Sequence, residues 1–137
     1  MTSIYLIGSL RNPRVREVAE ELRDAGHDVF DDWHACGQDA DAIWRDYEIE
    51  RGRNYREALA GTFADHVFQF DLTHIQVADV GVLVLPAGKS GHLELGYMIG
   101  RGQRGYILMD GEPERWDLMY LLAHGICYST AELLHKL

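Results

Sequence analysis

Val80-Gly81-Val82-Leu83-Val84-Leu85 has no polar residue at any position. A strand of this kind can turn neither face to water, so the sheet that holds it must be covered by helices on both sides. The flanking segments meet that demand. Residues 3–8, Ser3-Ile4-Tyr5-Leu6-Ile7-Gly8, read as a buried first strand. Asn12-Pro13 then supplies an N-cap and a proline at the first helical position. A helix is expected over residues 13–25, because Val15, Val18, Ala19 and Leu22 recur at helical spacing and Gly26 supplies a left-handed stop. A short second strand follows at 27–30.

After a helix at 62–77, the apolar strand runs from 80 to 85 and Pro86 closes it. Further along come a helix at 91–101 ended by Gly102, a strand at 106–109, a helix at 116–123 and a fifth strand at 126–128. Ser129-Thr130-Ala131-Glu132 is a capping box opening a last helix. Strands alternating with helices give an α/β fold with right-handed crossovers. The expectation is a doubly wound five-stranded parallel sheet in the flavodoxin-like order 2-1-3-4-5, with helices on both faces. At 137 residues the chain forms one domain, residues 1–137. Residues 33–61 are too long for a plain crossover and read as an excursion over the site, with a helix at 42–51.

A net charge of −9 opposes binding to a nucleic-acid polymer, which needs a basic surface to displace counterions. Two basic clusters, Arg11/Arg14/Arg16 and Arg51/Arg53/Arg56, read as solvated helix faces unless position argues otherwise. No apolar run is long enough for a membrane span, and Met1 leads into a strand pattern without a signal-like segment, so a cytoplasmic protein is expected. Cys36 and Cys127 stand far apart, outside any zinc or redox spacing, and read as ordinary thiols. No metal or organic cofactor is implied.

In this strand order ligands bind where the chain reverses direction across the sheet, between the first and third strands. The loops at that point are residues 8–12 and 86–90. Gly88-Lys89-Ser90 looks like the end of a P-loop, but that motif needs four residues between its first glycine and the Gly-Lys pair, and the preceding glycine, Gly81, opens a strand. What survives is a glycine-rich turn, Gly88 to Gly91, presenting N–H groups at a helix N-terminus as a general anion site. Glu94 stands in the first turn or so of that helix, where a carboxylate also serves simply as a dipole partner. Gly96 and Gly100 imply a close approach. Asp71 shares a helical stripe with Ala64, Phe68, Ile75 and Ala78, where a carboxylate must either find a partner or do chemistry. Two acids near one crevice are what glycosidic bond cleavage uses.

Three segments taken in order, Ile4-Tyr5-Leu6-Ile7-Gly8-Ser9-Leu10-Arg11, Asp71-Leu72 with Ala78-Asp79-Val80, and Ser90-Gly91-His92-Leu93-Glu94-Leu95-Gly96-Tyr97, resemble the nucleoside 2-deoxyribosyltransferase family. That family includes the deoxynucleoside 5'-monophosphate N-hydrolases. The resemblance implies cleavage of an N-glycosidic bond in a nucleoside or nucleotide, with Glu94 as nucleophile and Asp71 assisting proton transfer or orienting the sugar. Tyr5 would stand beside Glu94. Gly8, Ser9 and Arg11 would line the floor near the 5' end. Gly88, Ser90, Gly91 and His92, on the glycine-rich turn, and Trp33 are further candidates to bind the substrate. The N-hydrolases carry serine where this chain has Gly88, which speaks against a 5'-phosphate site, and His92 has no counterpart. Trp33, His34 and Trp44 are candidates to stack on a base, and the tryptophans suit the core equally. The family also implies a homo-oligomer, with Gly96, Tyr97 and Gly100 on a helix suited to packing between chains. Two other functions fit the same fold: a non-catalytic nucleotide-sensing domain and a nicotinamide dinucleotide glycohydrolase.

Overall fold

The computed structural model describes residues 1–137. Five strands, β1 (Ser3–Ile7), β2 (Asp28–Phe30), β3 (Val80–Val84), β4 (Arg104–Leu108) and β5 (Gly125–Cys127), form one parallel sheet in the order β2-β1-β3-β4-β5. This is the doubly wound order expected from the alternation of elements. Every residue of β3 is buried, which is why that strand carries no polar side chain.

Six helices complete the chain: α1 (Arg14–Asp24), α2 (Ala40–Glu50), α3 (Tyr55–Leu59), α4 (Thr62–Val77), α5 (Lys89–Gly100) and α6 (Thr130–Lys136). Val15, Val18, Ala19 and Leu22 of α1 and Leu133 of α6 pack with Ile4 and Leu6 on one face of the sheet. Ile75 of α4 and Leu95 and Met98 of α5 pack with Tyr5 and Ile7 on the other. The period of two along β1 thus sends alternate side chains to different helix layers. Burying each of the larger α1 residues contributes about 1.5–3 kcal/mol.

Several elements depart from the pattern read in the sequence. α5 begins at Lys89, two residues before Gly91, so Glu94 lies in its second turn and is half-buried. Instead of a helix over 116–123 there is a short 3-10 turn, Leu118–Leu122, with Trp116 outside it and 82 % exposed. Of its five residues only Tyr120 packs against the core, while Leu118, Met119, Leu121 and Leu122 are exposed, so little tertiary packing is there to extend it into a full helix. The box at Ser129 is half-formed: Ser129 Oγ accepts from the Glu132 N–H, but Glu132 Oε2 accepts from the Tyr128 N–H. A complete capping box sits at Asn54 and Glu57, opening α3. Residues 33–61 hold most of a 3-10 turn, Asp32–Cys36, together with α2 and α3.

Candidate active site

Glu94 reaches its place because α5 lies close on the sheet. A Cβ at Gly91 would stand 2.9 Å from Leu83 Cδ1 and 3.3 Å from Ile7 Cγ2, so glycine lets the first turn of α5 settle over β1 and β3 without displacing those side chains. Gly91, Leu95 and Met98 face the sheet, and Glu94 flanks that buried row. Burial, and secondly the charge of Asp71, raise the Glu94 carboxyl from its ordinary value to about 7. No hydrogen bond or ion pair within the chain engages Glu94. It is a desolvated acid with a free carboxyl group.

Asp71 faces the same space from α4. Its carboxyl is also raised by burial, against an opposing effect of His74 one turn along the helix. Like Glu94, it has no partner, so the structural role of bonding a backbone amide or an arginine is not one this fold uses. The apolar stripe anticipated around it is buried at Ile75 and Ala78, whereas Phe68 is 60 % exposed. Tyr5 comes from β1, 1 % exposed, close enough to both acids that their charges add to burial in holding its phenol well above the usual range. The hydroxyl stays protonated and makes no hydrogen bond in the chain, leaving its proton available as a donor.

Phe30 and His74 went unremarked in the sequence, yet they form the wall beside this group. Phe30 stacks on Tyr5 with ring centroids 5.5 Å apart, and His74 stacks on Phe30 at 3.9 Å. His74 Nδ1 donates to the Phe70 carbonyl at 2.8 Å, which leaves Nε2 free. The i, i+3 spacing of Asp71 and His74 on one helix was the available signal.

The loops at the strand reversal enclose a separate hollow of about 340 Å3, lined by Ser9, Arg11, Asn12, Pro13, Pro86, Ala87 and Gly88. Ser9, Arg11 and Gly88 are therefore brought together, while Tyr5, Asp71 and Glu94 gather on the α4/α5 face outside its lining. Gly8 sits behind the hollow, where a Cβ would approach Val15 Cγ2 to 2.8 Å. No side chain caps α5 at Gly88, so the first N–H groups of that helix are left for another acceptor. Arg11 is exposed and free of ion pairs, whereas Arg14 is committed to main-chain carbonyls. In the second basic cluster, Arg53 pairs with the buried Glu48 and Arg51 lies over the Tyr47 ring.

Trp33 and His34 have fixed duties. Trp33 Nε1 donates to the Leu6 carbonyl at 2.8 Å, its ring packs against both core layers, and His34 Nε2 lies 3.1 Å from the Asn12 carbonyl. Trp44 packs against Phe63, away from these loops. Ser90 is exposed on the first turn of α5. His92 bridges from the Gly88 carbonyl, through Nδ1 at 2.8 Å, to the Tyr120 hydroxyl at 2.9 Å from Nε2. Since a carbonyl only accepts, Nδ1 carries a proton. Gly96 and Gly100 have no neighbour within 4 Å of an added Cβ, so nothing inside the chain requires them.

No family model matches the chain, and no curated protein matches it. Among solved structures, a 2-deoxyribosyltransferase from the psychrotolerant bacterium Bacillus psychrosaccharolyticus superposes with a TM-score of 0.62 at 22 % identity, over 95 % of this chain and 88 % of that one. Clostridium botulinum CMP N-glycosidase, BcmB, superposes with a TM-score of 0.52 at 14 % identity, over 97 % and 96 %. The chain shares their fold. Coverage near the full length of both partners means that the likeness includes the sheet and the helices on both its faces, α4 and α5 among them.

Chemically, the arrangement offers two unpartnered carboxyls whose ionisation is disfavoured by burial, a neutral phenol beside them, and bare helix amides with an arginine at the adjacent loop crossing. A desolvated carboxylate is a stronger nucleophile and base than a solvated one.

Proposed function

We propose that the chain cleaves the N-glycosidic bond of a nucleoside or its 5'-monophosphate through a covalent glycosyl-Glu94 intermediate. The observation that carries this reading is the convergence of Glu94, Asp71 and Tyr5 with no internal partner for either carboxylate, on a fold shared with a deoxyribosyltransferase and a nucleotide N-glycosidase. In the first step a Glu94 carboxylate oxygen attacks the anomeric carbon. The bond to the base breaks, its electron pair goes to the base nitrogen, and Asp71 handles the proton there or orients the sugar. In the second step water, or the N–H of another base, attacks the same carbon, gives up its proton to the Asp71 carboxylate and releases Glu94 as carboxylate. Tyr5 donates to the carboxylate as it takes up this position. The test is incubation with a panel of nucleosides and 5'-monophosphates, with and without a free acceptor base. Products are read by chromatography, and the quenched protein is weighed for a glycosyl adduct. An inert chain, or turnover without dependence on Glu94, sinks the proposal.

Arg11 is proposed to meet the 5' end of the substrate, since it lines the hollow next to the uncapped start of α5. If that end carries phosphate, Arg11→Ala weakens the monophosphate by about 1.5–3 kcal/mol, the range for a hydrogen bond to a charged group, and leaves the nucleoside nearly unaffected. The ratio of the two kcat/KM values is the measurement. Equal losses on both substrates would assign Arg11 to the loop or the sugar.

We also propose self-association through the face that includes α4. Phe63, Val67, Phe68 and Phe70 expose a run of apolar surface on the helix that carries Asp71, more than scattered surface residues would supply. A second copy is the occupant that fits the family resemblance, and the open sites at Gly96 and Gly100 would admit it closely. Light scattering is expected to give a multiple of the chain mass for the wild type and the mass of one chain for Phe68→Glu. A monomeric wild type would remove this proposal.

A further inference from the structure

β1 ends at Ile7, whose partner on β3 is Leu83, so beyond that pair the central strand loses its neighbour on one side. Its next three carbonyls, Val84, Leu85 and Pro86, are taken up instead by side chains from the start of α1. Asn12 Nδ2 donates to the Val84 carbonyl at 3.5 Å and to the Pro86 carbonyl at 3.4 Å. Between them, Arg14 Nη1 donates to the Leu85 carbonyl at 3.2 Å and reaches across to the Met109 carbonyl, just beyond β4, at 2.9 Å. Asn12 is 6 % exposed, and its orientation is unambiguous: two carbonyls demand the amide NH2, and the Arg14 N–H at 3.0 Å demands Oδ1. The Asn12 carbonyl in turn takes the His34 ring nitrogen.

We propose that Asn12 and Arg14 are positioning residues, a polar latch that fixes where α5 begins and thereby where the Glu94 carboxylate stands. The inference rests on the reading of Glu94 as nucleophile. Ala87 and Gly88 are the only residues between the last latched carbonyl, that of Pro86, and α5, and Pro86 itself has no N–H with which to anchor the turn. On the carbonyl side the holding donors are these side chains, beside the Leu85 N–H on the Leu108 carbonyl and the His92 bonds to the Gly88 carbonyl. The same two residues lie beside the loop carrying Ser9 and Arg11, so one latch sets the start of α5 and the neighbouring hollow together. Displacing a reacting group by about 1 Å is enough to lower turnover about 100-fold.

Asn12→Ser separates the latch from the helix start. Serine keeps an acceptor for the Arg14 N–H and is a good cap, but it is too short to reach Val84 and Pro86. Expected for Asn12→Ser are a fall in kcat of about 10- to 100-fold with KM within about threefold. Amide exchange at His92, whose N–H closes the first turn of α5 onto the Gly88 carbonyl, should quicken while α1 keeps its protection. Wild-type kcat with unchanged His92 exchange overturns the proposal. So does faster exchange spread evenly over α1, β3 and α5, which would make Asn12 a matter of global stability only. Should Asn12→Ser fail to fold, Arg14→Met, which leaves Asn12 in place and strips Leu85 and Met109 of their donor, is judged by the same two readouts. A wild-type chain that releases no base from any substrate defeats the glycosidase reading, and the exchange arm then decides the latch without it.

Discussion

Glu94→Gln is expected to abolish base release, by about 10⁴-fold or more in kcat, while making the protein more stable at pH 8. The loss follows from removing the atom that forms the covalent bond, the most damaging kind of single change in an active site. The gain follows from the site's desolvation. In the folded chain the Glu94 carboxyl is raised to about 7 from an ordinary value of 4.5, so folding favours its protonated form. Below the ordinary value both states hold the proton, and the wild type has the stability of a neutral side chain there. As pH rises through the interval up to about 7, the unfolded chain ionises first and the wild type loses stability; above that the deficit is constant. Its size is on the order of 3 kcal/mol. Glutamine escapes the deficit. Chemical denaturation of both proteins at pH 4 and pH 8 should therefore show similar stability at the lower pH and a more stable Glu94→Gln at the higher. Equal stability at both would mean that Glu94 is not desolvated, and undiminished turnover would remove it from the mechanism.

Asp71→Asn is expected to lower kcat by about 10²–10⁴-fold, the usual contribution of positioned proton transfer, with a smaller change in substrate affinity. It should also move the pH profile in a direction that a purely structural role would not produce. Attack requires the ionised Glu94, so kcat/KM for the wild type should rise with pH through about 7. Asp71 is the charged neighbour that adds to burial in raising Glu94. Removing a like charge lets the remaining carboxyl ionise more readily, so the acidic limb should shift to lower pH in Asp71→Asn. A limb that stays in place would uncouple the two acids. An unfolded variant would return Asp71 to a structural role. The free Nε2 of His74, stacked on Phe30 which in turn stacks on Tyr5, offers a further polar group to a base at that wall.

Much of this architecture is legible in one dimension because it rests on local rules. An apolar β3 has no way to be stable except between two helix layers, and α1 is bounded by Asn12-Pro13 and Gly26 through capping and backbone preference alone. The order of alternating elements then leads to the strand order and to the crossing of the loops 8–12 and 86–90. Asp71 could be picked out as an acid in an apolar stripe, and Glu94 by its place at a helix start beside the strand reversal.

What tertiary structure alone decided is the set of contacts between residues far apart in the chain. Asn12 looked like a helix cap, and its Oδ1 does serve the Arg14 N–H, but its amide protons are spent on carbonyls more than 70 positions away. Trp33 and His34, read as candidates to stack on a base, also tie the loop to β1: the Trp33 indole donates to the Leu6 carbonyl, and a His34 ring nitrogen reaches the Asn12 carbonyl, contacts that only the fold brings together. The helix anticipated near Trp116 is reduced to a 3-10 turn that packs on the core through Tyr120 alone, which propensity cannot foresee. The free state of both carboxyls is likewise a three-dimensional fact. The residues determine that acids are present; only the packing of α4 and α5 on β1 decides that they meet, lose water and find no other partner.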